Sequence, residues 1–372
     1  MKIEINEDFK EKYLVFLQSL SKENEFEYYP ASEGLTRDGE NISLGFSCFA
    51  LKSFHILNEW ENLSENKKQE WIQYINSFQQ DNITTFDKGS FIDHFYITSI
   101  QKLSLTKEIK RNANRVLKLN KKVKSKKLEI DEFIRAESKQ AISTLHEVGA
   151  KNKIKYNSKY FYENNLTDYL TSLDWSKPWN AGAQFSGLCV FLETQEKDMD
   201  RYPELKKEMS TFIENLIDQN TGSYFMDKTP ELREIVNGAM KVITGLDWLN
   251  IPIHKPNELI DTCLNVKLDG YGCDIVDVVY VLYMCSKNNS YRRKDIETYF
   301  DDVDEIIYKH YFSNEGGFSY FQNKSQLYYY GLNITNGLNK PDIHGSTLLL
   351  WALSLMTDYR KNSDININIL KP

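Results

Sequence analysis

At 372 residues, with hydrophobic residues at 41% and charged residues at 27%, the chain can bury a sizeable core, which excludes collagen-like, mucin-like and wholly disordered readings. The 46 Lys and Arg against 53 Asp and Glu leave a net charge of −7, so specific nucleic-acid binding, which needs a basic face to displace counterions, is not expected.

The first residues, MKIEINEDFK, carry acids where a secretory leader needs basic residues, and no apolar stretch closed by small residues follows. The longest apolar runs, 275–285 (broken by Asp277) and 347–356, fall short of the roughly 20 residues that span a bilayer, so no transmembrane segment is expected. Cys48, Cys189, Cys263, Cys273 and Cys285 are odd in number and sit mostly within apolar patterns, as reduced thiols of a cytoplasmic protein do.

Sustained alternation is nearly absent, whereas apolar residues recur every three or four positions, which predicts an all-α protein. In chain order, apolar helices are predicted over 42–57, 90–103, 134–148, 180–192, 235–249, 273–285 and 344–356. Helices with a charged face are predicted between them, at 66–78, 203–217 and 295–308. An outer helix keeps one polar face, while an inner helix touches neighbours all round and reads apolar on nearly every side. The spacing of the apolar helices, about 40 to 70 residues, lies in the range of helix-pair repeats. Small residues cluster in the apolar segments, among them Gly45, Ser47, Ser138, Gly182, Gly187, Gly238, Gly345 and Ser346. They suit close helix crossings as well as they suit room for a ligand. Segment 107–127 departs from the pattern, with ten Lys or Arg and one acid; a solvated outer helix and loop account for it, and an anionic partner is the alternative. No linker is evident, so 1–372 is read as one domain.

The links out of the charged helices share a signature. Phe212-Ile213 precede Gln219 and then Thr221-Gly222-Ser223-Tyr224-Phe225; Tyr74-Ile75 precede Gln79-Gln80 and Thr85-Phe86; Ile307 precedes Asn314 and Gly316-Gly317-Phe318. This order of helix end, amide, turn glycine and aromatic resembles the QW-type repeat of the terpenoid cyclase and protein prenyltransferase superfamily. The resemblance covers most of the chain and implies an α/α toroid of six to seven helical hairpins, with an inner and an outer shell and the active site in the central cavity.

In such a toroid the inner-helix starts converge. Reading the polar and aromatic residues there gives Asp38, Asp93, His94, Glu137, Trp179, Gln184, Asn237 and Tyr271 as candidate substrate-binding residues. Asp274, Asp277, Asp342 and His344 form the candidate reacting centre. For Asp274 and Asp342, capping of an orphan helix N-terminus is the simpler account of a lone Asp. Protein prenyltransferases hold catalytic zinc with an acid, a cysteine and a histidine at inner-helix starts; Cys273 and His344 are similar, with Asp342, Asp274 or Asp277 as third ligand. Tyr271 stands where that family places its acid. Terpenoid cyclases instead protonate substrate with an aspartic acid and steady the carbocation on aromatic faces. Their Asp-x-Asp-Asp motif is absent, and the acids at 301–305 read as a solvated outer face. Two further functions stay open. Carbohydrate-processing toroids use two carboxylates across a cavity, and a non-catalytic helical scaffold would bind a ligand or partner there. The expected ligand is a small molecule, isoprenoid or glycan.

Overall fold

Helix starts follow from local chemistry. Asn6, Thr36, Ser64 and Asp342 each accept a hydrogen bond from an N–H three residues on, and Pro178, Pro203 and Pro256 occupy first turns, where a missing N–H costs nothing. The computed structural model describes residues 2–81, 86–102, 126–162, 165–268 and 270–372. Most of basic segment 107–127 lies outside the described residues.

Among the described residues the helices are α1 (Glu7–Ser19), α2 (Arg37–Asn41), α3 (Leu44–Ile56), α4 (Glu65–Asn76), α5 (His94–Lys102), α6 (Lys126–Glu147), α7 (Lys159–Tyr162) and α8 (Leu166–Ser172). They continue as α9 (Pro178–Gln195), α10 (Tyr202–Glu214), α11 (Leu232–Trp248), α12 (Pro256–Leu264), α13 (Gly272–Ser286), α14 (Arg293–Tyr308) and α15 (Ile343–Arg360). The chain is thus mostly helical. Two short antiparallel pairs add β1 (Tyr311–Phe312) with β2 (Gly317–Phe318), and β3 (Tyr328–Tyr329) with β4 (Leu332–Asn333).

Six of the predicted apolar segments became α3, α6, α9, α11, α13 and α15, and these carry most of the buried core. Their mutual packing follows chain order: α3 on α6, α6 on α9, α9 on α11, α11 on α13, α13 on α15, and α15 back on α3. Segment 90–103 does not join them. It forms the shorter α5, which packs chiefly on α2 and β4. The charged helices lie outside: α4 rests on α3, α12 on α13, and α14 on both α13 and α15.

A common turn leads out of four amphipathic helices. After α1, α4, α10 and α14 the chain makes a short antiparallel bridge, Ser21 with Tyr28, Gln79 with Phe91, Ile217 with Tyr224, and Tyr311 with Phe318. The aromatic that closes each bridge is buried. In the last three the turn contains a glycine at positive φ, Gly89, Gly222 or Gly316, a conformation that L side chains resist. The small polar residues of the inner helices receive these turns: Ser138 accepts from Phe91 N (3.0 Å) and Ser346 from Phe318 N (2.8 Å). Gln79 is a tie, bonding Gly89 O and Ile154 O at 2.8 Å each, whereas Gln219 and Asn314 are exposed.

Each end of the six-helix group is covered. At the C-terminal ends, the last residues of the chain bond α3, α6 and α11 in turn: Asn368 Nδ2 to His55 O, Lys371 N to Glu147 Oε1, and Trp248 Nε1 to Pro372 O. At the N-terminal ends the excursion through β1 to β4 brings the Tyr320 N–H to Asp342 and the Tyr329 hydroxyl to Glu137. No helix among the described residues is long and apolar enough to cross a membrane. Cys48, Cys189, Cys263 and Cys285 are buried free thiols, and Cys273 is half-buried.

Candidate functional site

The predicted residues separate into those that build the helix ends and those that reach the centre. Asp93 belongs to the first group. Its Oδ2 accepts from Ser43 N (2.9 Å) and Leu44 N (3.3 Å) at the start of α3, and its Oδ1 from Phe95 N and Tyr96 N in α5. One carboxylate therefore caps two helices. Asp342 does comparable work: Oδ1 accepts from Gly345 N (2.8 Å), and Oδ2 from Tyr320 N (2.7 Å) and Gln326 N (3.1 Å). Burial pushes its carboxyl up to about 7 against the pull of those N–H groups.

Asp274 is engaged at the rim, where its Oδ1 accepts from Asn237 Nδ2 (2.7 Å) and from Arg233 Nε (3.0 Å). The Arg233 guanidinium lies 5.0 Å from the centre of the Tyr271 ring, so Asn237, Tyr271, Arg233 and Asp274 form one patch. Gln184 accepts from Arg135 Nε (3.1 Å) and Tyr169 OH (3.2 Å), a separate cluster in which Tyr160 stacks on Tyr169. Trp179 is half-buried and its backbone N–H donates to Glu234. Asp38 accepts from Ser99 and ties α2 to α5. His94 is exposed beside Gln80. Asp274 and Arg233 also bear on the charge of Asp277, and Asp93 on that of Glu137.

Glu137, Cys273, Asp277 and His344 lie on the packed helices α6, α13 and α15. His344 is held between two rings, stacked on Phe49 at 4.4 Å and on Tyr320 at 5.3 Å. Tyr320 also bears on the charge of the Cys273 thiol, so one side chain acts at the starts of both α13 and α15. Asp277 is 1% exposed; its Oδ1 lies 3.7 Å from Lys241 Nζ, and its Oδ2 is buried without a hydrogen-bond partner among the described residues. His344 Nδ1 is likewise unpartnered. Glu137, buried on α6, accepts a short hydrogen bond from Tyr329 OH.

Burial dominates the electrostatics of this group. It pushes Glu137 up to about 8, opposed by the Tyr329 bond and by Lys52. It pushes Asp277 up to about 7, opposed mainly by Lys241. His344 falls to about 3, because burial and the charges of Lys241 and Lys52 disfavour the imidazolium, so the ring is neutral at physiological pH. The Cys273 thiol is pushed up to about 12 by burial and by Asp277, which leaves it protonated.

A zinc site would need a third ligand beside Cys273 and His344. Asp274 is committed to Arg233 and Asn237, Asp342 to backbone N–H groups, and among the described residues no three His, Cys, Asp or Glu side chains gather at metal-binding spacing. The Cys273 and His344 pair therefore lacks a third ligand, and these residues do not fit a zinc ion.

Three central residues escaped the sequence reading: Lys52 on α3, Lys139 on α6 and Lys241 on α11. Lys52 and Lys241 are lone lysines in apolar or small-residue runs, FALKSF and GAMKVI, and that isolation was the available signal, whereas Lys139 lies in the polar string ESKQAI, which offered none. Tyr329 was missed for another reason, since it arrives from the β3 turn and nothing local announces it. Gly45 makes room for it: a Cβ there would lie 1.9 Å from the Tyr329 hydroxyl oxygen. Gly45→Ala is expected to drive Tyr329 off Glu137 and to destabilise the fold by about 1–3 kcal/mol, read from urea unfolding midpoints.

Comparison of the chain with family models, curated proteins and solved structures found no match.

Proposed function

We propose that the chain is an α/α-toroid enzyme that performs general acid–base chemistry on a polar small molecule at the centre of its six inner helices. The cyclic packing of α3, α6, α9, α11, α13 and α15 supports the toroid reading, as do the four repeated bridge turns behind the amphipathic helices. A resemblance to terpenoid cyclases and protein prenyltransferases rests on the same turns.

The observation that carries the function is that two of the packed helices each bury a carboxyl, Glu137 and Asp277. They sit on α6 and α13, three steps apart in the helix succession counted either way, and burial brings both carboxyls close to neutrality, at about 8 and about 7. A general acid or base works best when its pKa lies near the operating pH. In this reading Glu137, backed by Tyr329, donates a proton and Asp277 accepts one, while neutral His344 lies against the substrate between Phe49 and Tyr320.

Of the two substrate classes the sequence left open, a hydroxylated, glycan-like molecule fits better than an isoprenoid. A carbocation beside Asp277 would be repelled by Lys241, whose Nζ lies 3.7 Å from that carboxylate, and aromatic faces offset such repulsion only in part. The test is turnover, detected by mass spectrometry, of purified protein against neutral and acidic oligosaccharides and against isoprenyl substrates. Turnover of a saccharide that falls at least a hundredfold in Glu137→Gln and in Asp277→Asn is the expected result. Turnover confined to isoprenyl substrates, or indifferent to both substitutions, rejects the proposal.

A further inference from the structure

The β3–β4 hairpin sends one side chain between α3 and α6. Tyr329, buried at 4% exposure, donates its hydroxyl proton to Glu137 Oε1 and sets its ring against Phe46, 5.2 Å between centres, and edge-on to Phe49 at 6.4 Å. Beneath the hydroxyl lies Gly45, where any Cβ would collide with the phenol oxygen. Tyr329 therefore fills a slot whose lining is known on each side: a carboxyl from α6, and two aromatic rings and a glycine from α3. Phe49 in turn stacks on His344 at 4.4 Å, so the slot borders the aromatic sandwich of the candidate site.

The hairpin is fastened unevenly. Its base is tied down on both strands: Gln326 N donates to Asp342 Oδ2 (3.1 Å), Ile334 N to Leu327 O (2.9 Å), Thr36 Oγ1 to Asn333 O (2.6 Å) and Asn336 N to Gly34 O (2.7 Å). The tip, 328–332, is bonded to the rest of the described residues only by Tyr329 OH on Glu137 and by Tyr96 OH on Tyr330 O (3.0 Å). The turn at the tip is also strained. Tyr330 and Gly331 both have positive φ, 43° and 84°, in a two-residue turn that favours Asn-Gly, and a tyrosine resists the left-handed region. What Tyr330 gains there is a ring contact with Phe133 at 5.1 Å. Strain of this kind collects at clamps and switching segments. A fixed base below a lightly held, strained tip is the construction of a flap. Lifting it uncovers Leu332, which is fully buried, and that loss keeps the free protein closed.

We propose that the Tyr329 slot is a substrate subsite: the β3–β4 tip lifts, and one pyranose ring of the substrate takes the place of the phenol with a ring hydroxyl on Glu137. The phenol is the template for that occupant, a six-membered ring with a single hydrogen-bond donor at its far edge. Phe46 and Phe49 supply apolar surface for the ring's C–H groups, and Glu137 supplies the acceptor for its hydroxyl. An isoprenyl chain carries no such donor and would leave the buried carboxyl without the partner that Tyr329 gave it. The proposal rests on the reading of Glu137 as the catalytic acid and adds how substrate reaches a side chain only 4% exposed. Tyr329 holds the carboxyl in the free protein and yields it to the substrate hydroxyl. Only the open form binds, so the apparent affinity is reduced by the fraction of molecules that are open.

Titration of the full chain with the methyl pyranosides of glucose, galactose and mannose, read by ligand-observed NMR, tests the subsite. Tyr329→Ala empties the slot and releases the tip, and it is expected to bind at least one of the three roughly tenfold more tightly than the wild type. Gly45→Val added to Tyr329→Ala refills the slot from its floor and is expected to abolish that gain. Tyr328→Ala, on the outward face of the same strand at 59% exposure, is expected to bind as the wild type does. Should Tyr329→Ala fail to fold, Tyr329→Phe keeps the ring and removes only the bond to Glu137; it is expected to bind about threefold or more tightly than the wild type, the worth of one such hydrogen bond. Affinity in Tyr329→Ala no higher than in the wild type, a gain that survives Gly45→Val, or Tyr329→Phe binding no more tightly than the wild type each overturns the proposal. Glu137→Gln retains an acceptor for the sugar hydroxyl, so it is expected to keep pyranoside binding while losing turnover. Affinity at the slot therefore judges this inference, and turnover in Glu137→Gln and Asp277→Asn judges the acid–base reading.

Discussion

Asp342→Ala is expected to cost on the order of 4 kcal/mol of stability, seen as a large fall in the urea midpoint with an unchanged slope. The size follows from what the carboxylate holds. Three backbone N–H groups, from Gly345, Tyr320 and Gln326, converge on its two oxygens, and the residue is 1% exposed, so water does not replace the lost acceptor. A buried N–H without a partner costs about 1–3 kcal/mol, and loss of a helix cap about 1. The same residue donates its own N–H to Phe318 O at 2.9 Å and bridges to Ala31, which places it where the N-terminal segment, β2 and the start of α15 meet. Asp342→Asn keeps one acceptor oxygen and is expected to lose roughly half as much. If Asp342→Ala instead unfolds at the wild-type midpoint and loses only activity, Asp342 belongs with Glu137 and Asp277 rather than in the scaffold.

The contrast between Asp342 and Asp277 shows what a sequence of this kind discloses. The helices were legible because a helix buried on all sides must be apolar throughout, and the predicted segments 235–249 and 273–285 lie within a residue or a few of α11 and α13. Asp342 and Asp277 were equally legible as acids near helix starts, yet their roles diverge over a single turn. Asp342 precedes its helix and meets free N–H groups; Asp277 lies inside its helix, where no N–H is free, and meets only the Lys241 ammonium. Position relative to the cap separates the two, and helix boundaries read from sequence are least certain at that scale. Lys52 and Lys241 were hidden by expectation: a lysine in an apolar run reads as a surface residue whose stem lies along the core. Tyr329 and Tyr320 lay beyond reach altogether, since an excursion of short strands delivers them and its path follows from long-range contacts.

Glu137→Gln is expected to stabilise the protein progressively as pH rises from about 4.5 to about 8 while removing at least a hundredfold of activity. Its folded-state pKa, about 8, lies above the ordinary 4.5, so the folded chain holds a proton that the unfolded chain has released. The stability that proton confers is complete below about 4.5 and lost as pH climbs through about 8. Glutamine copies the protonated acid, still accepts from Tyr329 and never ionises, so the two proteins are equally stable at low pH and diverge above it. The difference levels off at alkaline pH on the order of 4 kcal/mol, at about 1.4 kcal/mol for each pKa unit. Burial moves Lys52 and Lys139 in the opposite sense, and the low pKa of His344 removes stability as pH falls from about 6.5 toward about 3. The informative quantity is therefore the difference between variant and wild type at each pH, in which the other groups largely cancel. Catalysis reads the same proton from the other side: with Asp277 as base and Glu137 as acid, the rate profile rises through about 7 and falls through about 8. A stability difference that stays flat from pH 5 to 9 would show that Glu137 ionises normally, and the centre would then lack the acid that its chemistry requires.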